Sequence, residues 1–246
     1  MPEIAGAGFN YLELSLSEIA ALSAGEFGEL SEYLKYVNAD TPVFSDMLPG
    51  KLRVTGPDVS AQAQHEYLKT AFERAKALGA ELIVFDAAAA RNVPPGYDFS
   101  LARRQLGNFM RILQGHAADA KLRVAVRNYR RAECNLINTV SEAALLPALL
   151  MLDRIGIAAD TVQMALSSEP LDSIERAGML MHVYVGNALT RRLPSAGDGE
   201  DYPRVIQILQ KQSYSGRVSC VCRDDFSLQE AAAALDCLRA MMPPEH

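Results

Sequence analysis

The stretch KLRVAVRNYRRAECNLINT, residues 121–139, decides how the rest of the sequence is interpreted. Its first part, LRVAV (122–126), is short, apolar and contains two β-branched residues, which is typical of a buried strand. The chain then turns polar and charged at Arg127 and stays so through Glu133. In a parallel α/β barrel, the loops that follow the strands converge on one end, and that end carries the functional site. The stretch therefore predicts a barrel strand that opens into a polar site.

Short apolar strands alternate with longer helical stretches along the chain, which predicts a parallel sheet with crossover helices. No linker or low-complexity tract divides the sequence, so we expect a single domain over residues 1–246. The predicted strands are residues 10–15, 42–47, 81–86, 122–127, 156–161, 180–186 and 217–222. The predicted helices are residues 17–37, 58–78, 99–119, 139–154, 170–177, 200–213 and 227–241.

Composition excludes several classes of protein. The net charge of −6 argues against a nucleic-acid partner, which needs a basic face. No apolar run reaches the ~18 residues of a membrane span, so no membrane partner is expected. The four cysteines have neither redox nor zinc-knuckle spacing, and we interpret them as small buried thiols in a reducing cytoplasm. The predicted location is therefore cytoplasmic.

Ordered phrases along the chain match one known family. The central stretch reads V-R-N-Y-R-R-A-E-C-N-L-I-N-T, where members of that family read roughly I-E-P-L-N-R-x-E-T-N-x-x-N-T. Further matching phrases are AGFNYLELSLSEIAALS (7–23), LPGKLRVTGPDV (48–59), ARNVPPGYD (90–98) and GDGEDYPRVIQILQKQSYSGRVS (197–219). The chain thus resembles the xylose isomerase-like barrels, the sugar phosphate isomerase/epimerase family. This resemblance implies an α/β fold, a (β/α) TIM-type barrel.

The predicted barrel has about seven strands, one fewer than a complete eightfold barrel. Relatives normally begin with a strand and a helix before the segment that matches AGFNYLEL, so the first strand is expected to be missing. A gap in a barrel exposes two strand edges, which a protein must cover or pair. We therefore expect side chains or a terminus to cover the gap, or self-association to use it, which would give a homo-oligomer.

The resemblance implies a metal site whose ligands this chain largely lacks. Active relatives hold a divalent ion such as Mn, Mg or Zn with a Glu, an Asp, a His and a second Glu from four successive strands. The matching positions are Arg127, Asp160, Tyr184 and Val221. A guanidinium donates hydrogen bonds only, and valine offers no ligand atom. We therefore expect no metal and no other cofactor. The abasic-site endonuclease branch of the fold, which needs a His- and Glu-rich cluster, is disfavoured as well.

The same alignment gives the candidate site residues. We expect Arg127 to pair with Asp160 or Glu133 in the lumen, because a buried arginine needs a carboxylate partner. Glu133 and Asp160 are the candidate catalytic residues. The candidate substrate-binding residues are Arg127, Asn135, Gln163, His182, Tyr184, Arg191 and Arg192.

Several candidates also have a purely structural interpretation, and Asp160 could be a retained structural acid. Glu133, Asn135 and Asn138 would fix the loop and cap a helix at Thr139. His182 lies among apolar residues, which is typical of a hydrogen-bonded core histidine. Arg191 and Arg192 resemble a substrate-contacting arginine of the family, but a solvated role suits them equally.

Three functions follow from the sequence. The first is a family barrel with a degenerate active site that has lost metal-dependent catalysis and binds a small polar, carbohydrate-like ligand. The second is a metal-independent isomerase or epimerase that uses Glu133 and Asp160, with Arg127 as an electrostatic stabiliser. The third is a non-catalytic partner subunit of an active paralogue. The resemblance transfers function only weakly, because fold alone does not fix function. Since the metal ligands are largely absent, we favour the first.

Overall fold

Seven parallel strands form one sheet, in which neighbours along the chain are neighbours in the sheet. Residues 8–223 and 225–242 are described by a computed structural model of the chain. The strands are β1 Glu13–Ser15, β2 Val43–Ser45, β3 Leu82–Phe85, β4 Arg123–Arg127, β5 Ile155–Asp160, β6 Leu180–Val185 and β7 Arg217–Cys220. The sheet curls into a nearly closed TIM-type barrel, which confirms the fold and the strand number predicted from sequence.

Helices connect the strands on the outside of the barrel. They are α1 Leu16–Ala21, α2 Ala24–Tyr36, α3 Ala61–Ala77, α4 Ala88–Arg91, α5 Phe99–Ala120, α6 Val140–Leu149, α7 Thr161–Leu166, α8 Ser173–Ala177, α9 Tyr202–Lys211 and α10 Leu228–Arg239. Among the described residues, no helix combines the length and the apolar character that crossing a membrane requires.

Capping side chains explain two differences between the predicted and the observed helix and strand boundaries. The predicted helix 17–37 is two helices, because Ser23 starts a new one with a capping box to Glu26. The predicted strand 156–161 ends at Asp160, whose side chain accepts a hydrogen bond from the Gln163 backbone and begins α7. The sequence-based assignment missed α7 and α4.

Alternation along the strands decides which side chains enter the lumen. Successive strand residues point to opposite faces, so residues two apart share a face. On β4, Val124 and Val126 pack outward against the helices, while Ala125 packs inward. The inward cluster, which we call the lumen plug, consists of Val43, Leu82, Val84, Ala125, Ala158, Met181 and Tyr184. Arg127 follows Ala125 by two residues and therefore also faces the lumen.

The barrel is not closed by strand pairing, since β1 and β7 are the two ends of the described sheet. Side chains span this gap instead. The Tyr11 hydroxyl lies 2.8 Å from Ser219 Oγ, and Ser219 Oγ donates to Glu13 Oε2 at 2.6 Å. Arg239 on α10 donates to the Gly8 carbonyl at 3.0 Å. Within the described residues, the gap is thus covered by side chains, as expected; self-association stays a prediction.

Candidate functional site

Four strand-end positions meet at the C-terminal end of the barrel, which we call the mouth. Arg127, Asp160 and Tyr184 lie at or near the ends of β4, β5 and β6. Val221 lies just beyond β7, where its amide donates to the Val185 carbonyl, and it packs against the lumen plug. The four positions that the sequence aligned with metal ligands are therefore neighbours in space.

Arg127 and Asp160 form a buried ion pair, as predicted. Nε and Nη2 of Arg127 both donate to Oδ2 of Asp160, at 2.9 and 2.6 Å. The Arg127 side chain is 11% exposed and that of Asp160 is fully buried. Burial disfavours the charged guanidinium, but the field of Asp160 outweighs it with help from the neighbouring groups and raises the pKa of Arg127 well above its usual value. Arg127 is therefore a permanent cation in the lumen.

The second oxygen of Asp160 is also in use. Its Oδ1 accepts a hydrogen bond from the Gln163 backbone amide at 3.1 Å, which caps α7. The backbone amide of Asp160 donates to Asn128 Oδ1 at 2.9 Å. Asp160 is thus held from both sides by the chain itself.

Two aromatic rings enclose the guanidinium. The Arg127 Cζ lies 4.0 Å from the Tyr184 ring centroid and 5.3 Å from that of Tyr129. The Tyr184 hydroxyl donates to Glu13 Oε1 at 2.7 Å. Burial, followed by the charge of Glu13, raises the pKa of Tyr184 well above its usual value, so the phenol stays neutral. A neutral phenol between a cation and a carboxylate links the two charges across the lumen.

Asp86 is a second carboxyl beside Arg127 that the candidate list lacks. Its Oδ2 lies 3.8 Å from Nη1 of Arg127. Its two oxygens accept from the backbone amides of Asp46 and Met47 at 2.9 and 3.1 Å. Burial raises the pKa of Asp86, although the charge of Arg127 opposes that shift. Asp86 directly follows β3, and this position at the end of a strand is the feature of the sequence that could have indicated a residue of the mouth.

His182 and Glu13 belong to the network that covers the gap. His182 is fully buried, and its Nε2 lies 2.9 Å from Ser219 Oγ and 3.5 Å from Glu13 Oε2. Burial raises the pKa of Glu13, but the hydrogen bond and charge of His182, with the hydrogen bond from Ser219, outweigh it and hold the pKa at about 2. His182 therefore has the contacts of a core histidine.

The polar residues of the loop after β4 bind one another. Glu133 accepts from Arg130 Nε at 2.7 Å and from Gln163 Nε2 at 3.1 Å. Gln163 Oε1 in turn accepts from the Arg130 amide at 3.0 Å. The Glu133 side chain keeps 31% of its surface exposed. Glu133 thus reaches solvent near the mouth, while Asp160 does not.

The two loop asparagines hold backbone rather than open space. Asn135 accepts from the Val93 amide at 2.8 Å and donates to its carbonyl at 2.9 Å. Asn138 donates to the carbonyls of Tyr129 and Cys134, at 2.8 and 2.5 Å. Thr139 caps α6 by accepting from the Glu142 amide. These contacts match the structural interpretation of the loop.

Arg191 and Arg192 make their contacts outside the Arg127–Asp160 cluster of the lumen. The Arg192 guanidinium pairs with Asp225 at 3.3 Å and with Glu230, which lies on α10. Arg191 adopts a positive φ of 58°, and its amide donates to the Asn187 carbonyl. The contacts of Arg192 thus tie the loop after β6 to α10.

The mouth does not fit the divalent ion of active relatives. Both oxygens of Asp160 already accept hydrogen bonds, and Arg127 would place a like charge beside the ion. The Tyr184 phenol stays protonated, and Val221 offers no ligand atom. Within residues 8–223 and 225–242, no group of three or more His, Cys, Asp or Glu side chains is arranged to hold a metal.

Comparison with known proteins identifies the class. The chain belongs to the xylose isomerase-like TIM barrel family, whose sequence model matches residues 2–241. Comparison with curated proteins finds no sequence match.

Solved structures with the same fold include several epimerases. The apo 3-keto-D-glucoside 4-epimerase from E. coli is 18% identical, with a TM-score of 0.81 over 96% of this chain and 91% of that one. The D-allulose 3-epimerase from Methylomonas sp. in complex with D-allulose is 21% identical, with a TM-score of 0.80 over 97% and 88%. An AP endonuclease of family 2 from Brucella melitensis is 17% identical, with a TM-score of 0.76 over 94% and 89%. At these identities the likeness shows the fold alone.

Proposed function

We propose that this barrel has lost the metal-dependent epimerase chemistry of its family and binds a small, polar, carbohydrate-like ligand at its mouth. The Arg127–Asp160 pair is the observation that carries the proposal. It puts a permanent cation at a position where active relatives have a metal-binding Glu. It also uses Oδ2 of Asp160, the one ligand residue that this chain retains, while Oδ1 accepts from the Gln163 amide.

The loss of the family route follows from the chemistry of the four positions. A family epimerase needs a Lewis acid on the substrate oxygens and two carboxylates that move a proton at the adjacent carbon. Arg127 and Val221 replace both carboxylates, and neither side chain accepts a proton at neutral pH. Arg127 is paired on its Asp160 side and stacked on Tyr184, so it holds a fixed charge in the lumen.

Ligand binding is supported by the polar groups that remain accessible at the mouth. The side chains of Arg127, Asp86 and Glu13 are 11%, 9% and 17% exposed. Guanidinium donors and carboxylate acceptors together suit a molecule with several hydroxyl groups, each of which donates and accepts. The Methylomonas neighbour was solved with a sugar, D-allulose.

The test combines metal analysis, activity and binding. Elemental analysis of the purified protein is expected to find no stoichiometric Mn, Mg or Zn. Epimerisation of D-allulose and D-fructose is expected to be absent with or without added Mn²⁺. Calorimetry with neutral ketoses and polyols is expected to find a binder whose affinity falls on Asp86→Asn. A stoichiometric metal whose removal by chelator abolishes epimerase activity would refute the proposal.

A restoring variant sharpens this test. Arg127→Glu, Tyr184→His and Val221→Glu together rebuild the family's ligand types around Asp160. This triple variant is expected to bind Mn²⁺ where the parent does not, because it removes the lumen cation and frees Asp160 Oδ2. Equal Mn²⁺ binding by the parent would contradict the proposed role of Arg127.

The metal-independent epimerase remains the second candidate, since Glu133 reaches solvent near the mouth. Its support is narrower, because Asp160 is fully buried and paired. Epimerase activity that is lost on Glu133→Gln and insensitive to chelator would favour it over the first proposal.

A further inference from the structure

The end of the barrel opposite the mouth contains a cavity of about 580 Å³, which we call the basal cavity. It is lined by the start of β4 at Arg123, the start of β7 at Arg217 and the preceding loop from Gln212 to Gly216. Small-molecule sites commonly have volumes of about 300 to 1,000 Å³. Functional sites of TIM barrels lie at the other end, so this cavity is separate from the mouth.

The lumen plug forms the inner wall of the basal cavity. Val43, Leu82 and Met181 belong both to the plug and to the cavity lining. These packed apolar side chains lie between the cavity and the polar network of the mouth. A ligand in the basal cavity would therefore not reach Arg127 or Asp160.

The cavity has an excess of positive charge. Arg217 Nη1 pairs with Glu81 Oε2 at 2.7 Å. The backbone amide of Arg123 donates to the Glu81 carbonyl, whereas its guanidinium is on an exposed residue and has no carboxylate or hydrogen-bond partner in the part of the chain that the structure describes. Burial raises the pKa of the Tyr214 phenol, and Arg123 and Arg217 oppose that shift, which places both cations near this phenol. Two guanidinium groups against one carboxylate leave a net charge of +1 in the lining.

The side-chain oxygen of Gln212 is a hydrogen-bond acceptor without a donor among the described residues. Its Nε2 donates to the carbonyls of Ile174 and Glu175, at 3.1 and 3.2 Å, which fixes the direction of the amide. Its Oε1 is buried and has no donor among the described residues. Such groups are rare in folded proteins, because a buried acceptor without a donor costs stability. Gln212 lines the cavity, but its Oε1 has almost no exposed surface and therefore does not face the open volume.

The wall beside these groups is rigid. The Tyr214 hydroxyl donates to the Arg217 carbonyl at 2.8 Å. A Cβ at Gly216 would lie 2.4 Å from the Tyr214 oxygen, so the backbone passes directly against the phenol. The loop that carries Gln212 is thus held in register with the start of β7.

We propose that the basal cavity binds a small anionic polyol, a molecule with one phosphate or carboxylate and neighbouring hydroxyl groups. Arg123 and Arg217 hold the anionic group, and the volume beside them takes the hydroxyl-bearing part of the molecule. The excess positive charge and the size of the cavity match these two parts. This site goes beyond the function proposed for the mouth and does not depend on it.

The test is isothermal calorimetry of the full chain with D-glucose 6-phosphate, D-gluconate and neutral D-glucose. At least one of the two anions is expected to bind with one site per chain, and D-glucose much more weakly. The anion that binds distinguishes a phosphate from a carboxylate. Arg123→Gln is expected to weaken the bound anion about tenfold, as for the loss of a charge-assisted hydrogen bond.

Two further variants separate binding from folding. Arg103→Gln removes an exposed arginine on α5 and is the matched control, with no expected change in affinity. Glu81→Gln is expected to tighten anion binding about threefold, because it frees Arg217 and removes a like charge. Damage to the fold would not produce that gain. Binding of neither anion at millimolar concentration, or an affinity that Arg123→Gln leaves unchanged, would overturn the proposal.

Discussion

Asp160→Asn removes one charge from the lumen and replaces one of the two accepting oxygens, Oδ2 beside Arg127, with an amide NH2. Asparagine has nearly the same shape and is as good a helix cap as aspartate, so α7 keeps its start. Arg127 stays protonated without Asp160, because a guanidinium does not lose its proton in proteins. The variant therefore isolates the cost of a buried guanidinium that has lost its principal partner.

The structure sets the size of this cost. Removing one partner of a buried ion pair typically costs about 3 to 5 kcal/mol. Asp86 remains 3.8 Å from Nη1, and Tyr184 still stacks on the guanidinium at 4.0 Å, so the lower end applies. We expect a loss of about 3 kcal/mol in the free energy of unfolding, or a Tm lower by about 6 to 12 °C for a chain of this size.

The assay is urea unfolding followed by circular dichroism at pH 7. Arg127→Met combined with Asp160→Asn is expected to be more stable than Asp160→Asn alone, because no unpaired cation is left. Glu32→Gln is the control, since its ion pair with Lys35 is exposed and its loss should leave the unfolding midpoint unchanged. A cost below about 1 kcal/mol for Asp160→Asn, or additive effects in the double variant, would refute the reasoning.

Two further predictions concern the gap and the loop. The pKa of Glu13 is lowered from 4.5 to about 2 in the folded chain, so the unfolded chain binds more protons between these values. Stability from this group is present above about pH 4.5 and is lost as the pH falls toward 2, by about 3 kcal/mol. The Glu13→Gln variant should lack this loss of stability between about pH 4.5 and 2. If its stability depends on pH in the same way as that of the parent, the lowered pKa of Glu13 is contradicted. Asn135→Ala removes both hydrogen bonds to the Val93 backbone and is expected to lower stability by about 2 kcal/mol, measured by urea unfolding. An unchanged midpoint would show that the loop is held by other contacts.

Local rules and the family resemblance together predicted the central pair, with Asp160 or Glu133 as the partner of Arg127. The apolar stretch 122–126 predicts a strand, and alternation turns Arg127 inward with Ala125. A buried arginine needs a carboxylate, and Asp160 follows the next strand at the same end of the barrel. The resemblance supplied the position of Asp160, and the structure decides between the two carboxylates in its favour.

Long-range contacts were not predictable in the same way. Ser219 and Glu13 lie 206 residues apart, and their hydrogen bond depends on how far the sheet curls before its ends meet. No pattern in either segment encodes that curvature. For Arg192, the sequence left a substrate contact and a solvated role open, and no local pattern predicted its ion pair with Glu230, which is also part of the capping box of α10.

The two ends of the barrel differ in charge, and this difference limits which ligand each can take. At the mouth, Asp86 and Asp160 flank the guanidinium of Arg127, and Arg91 donates to the Arg127 carbonyl. Glu13, ionised at neutral pH because of its low pKa, lies beside His182. Carboxylates and cationic groups are thus interspersed there without a clear excess of positive charge, which suits a neutral polyol better than the anionic ligand that Arg127 alone would suggest. At the basal cavity, Arg123 and Arg217 outnumber Glu81, and the balance favours an anion. Neutral sugars and their phosphates or acids should therefore bind at opposite ends of the same barrel.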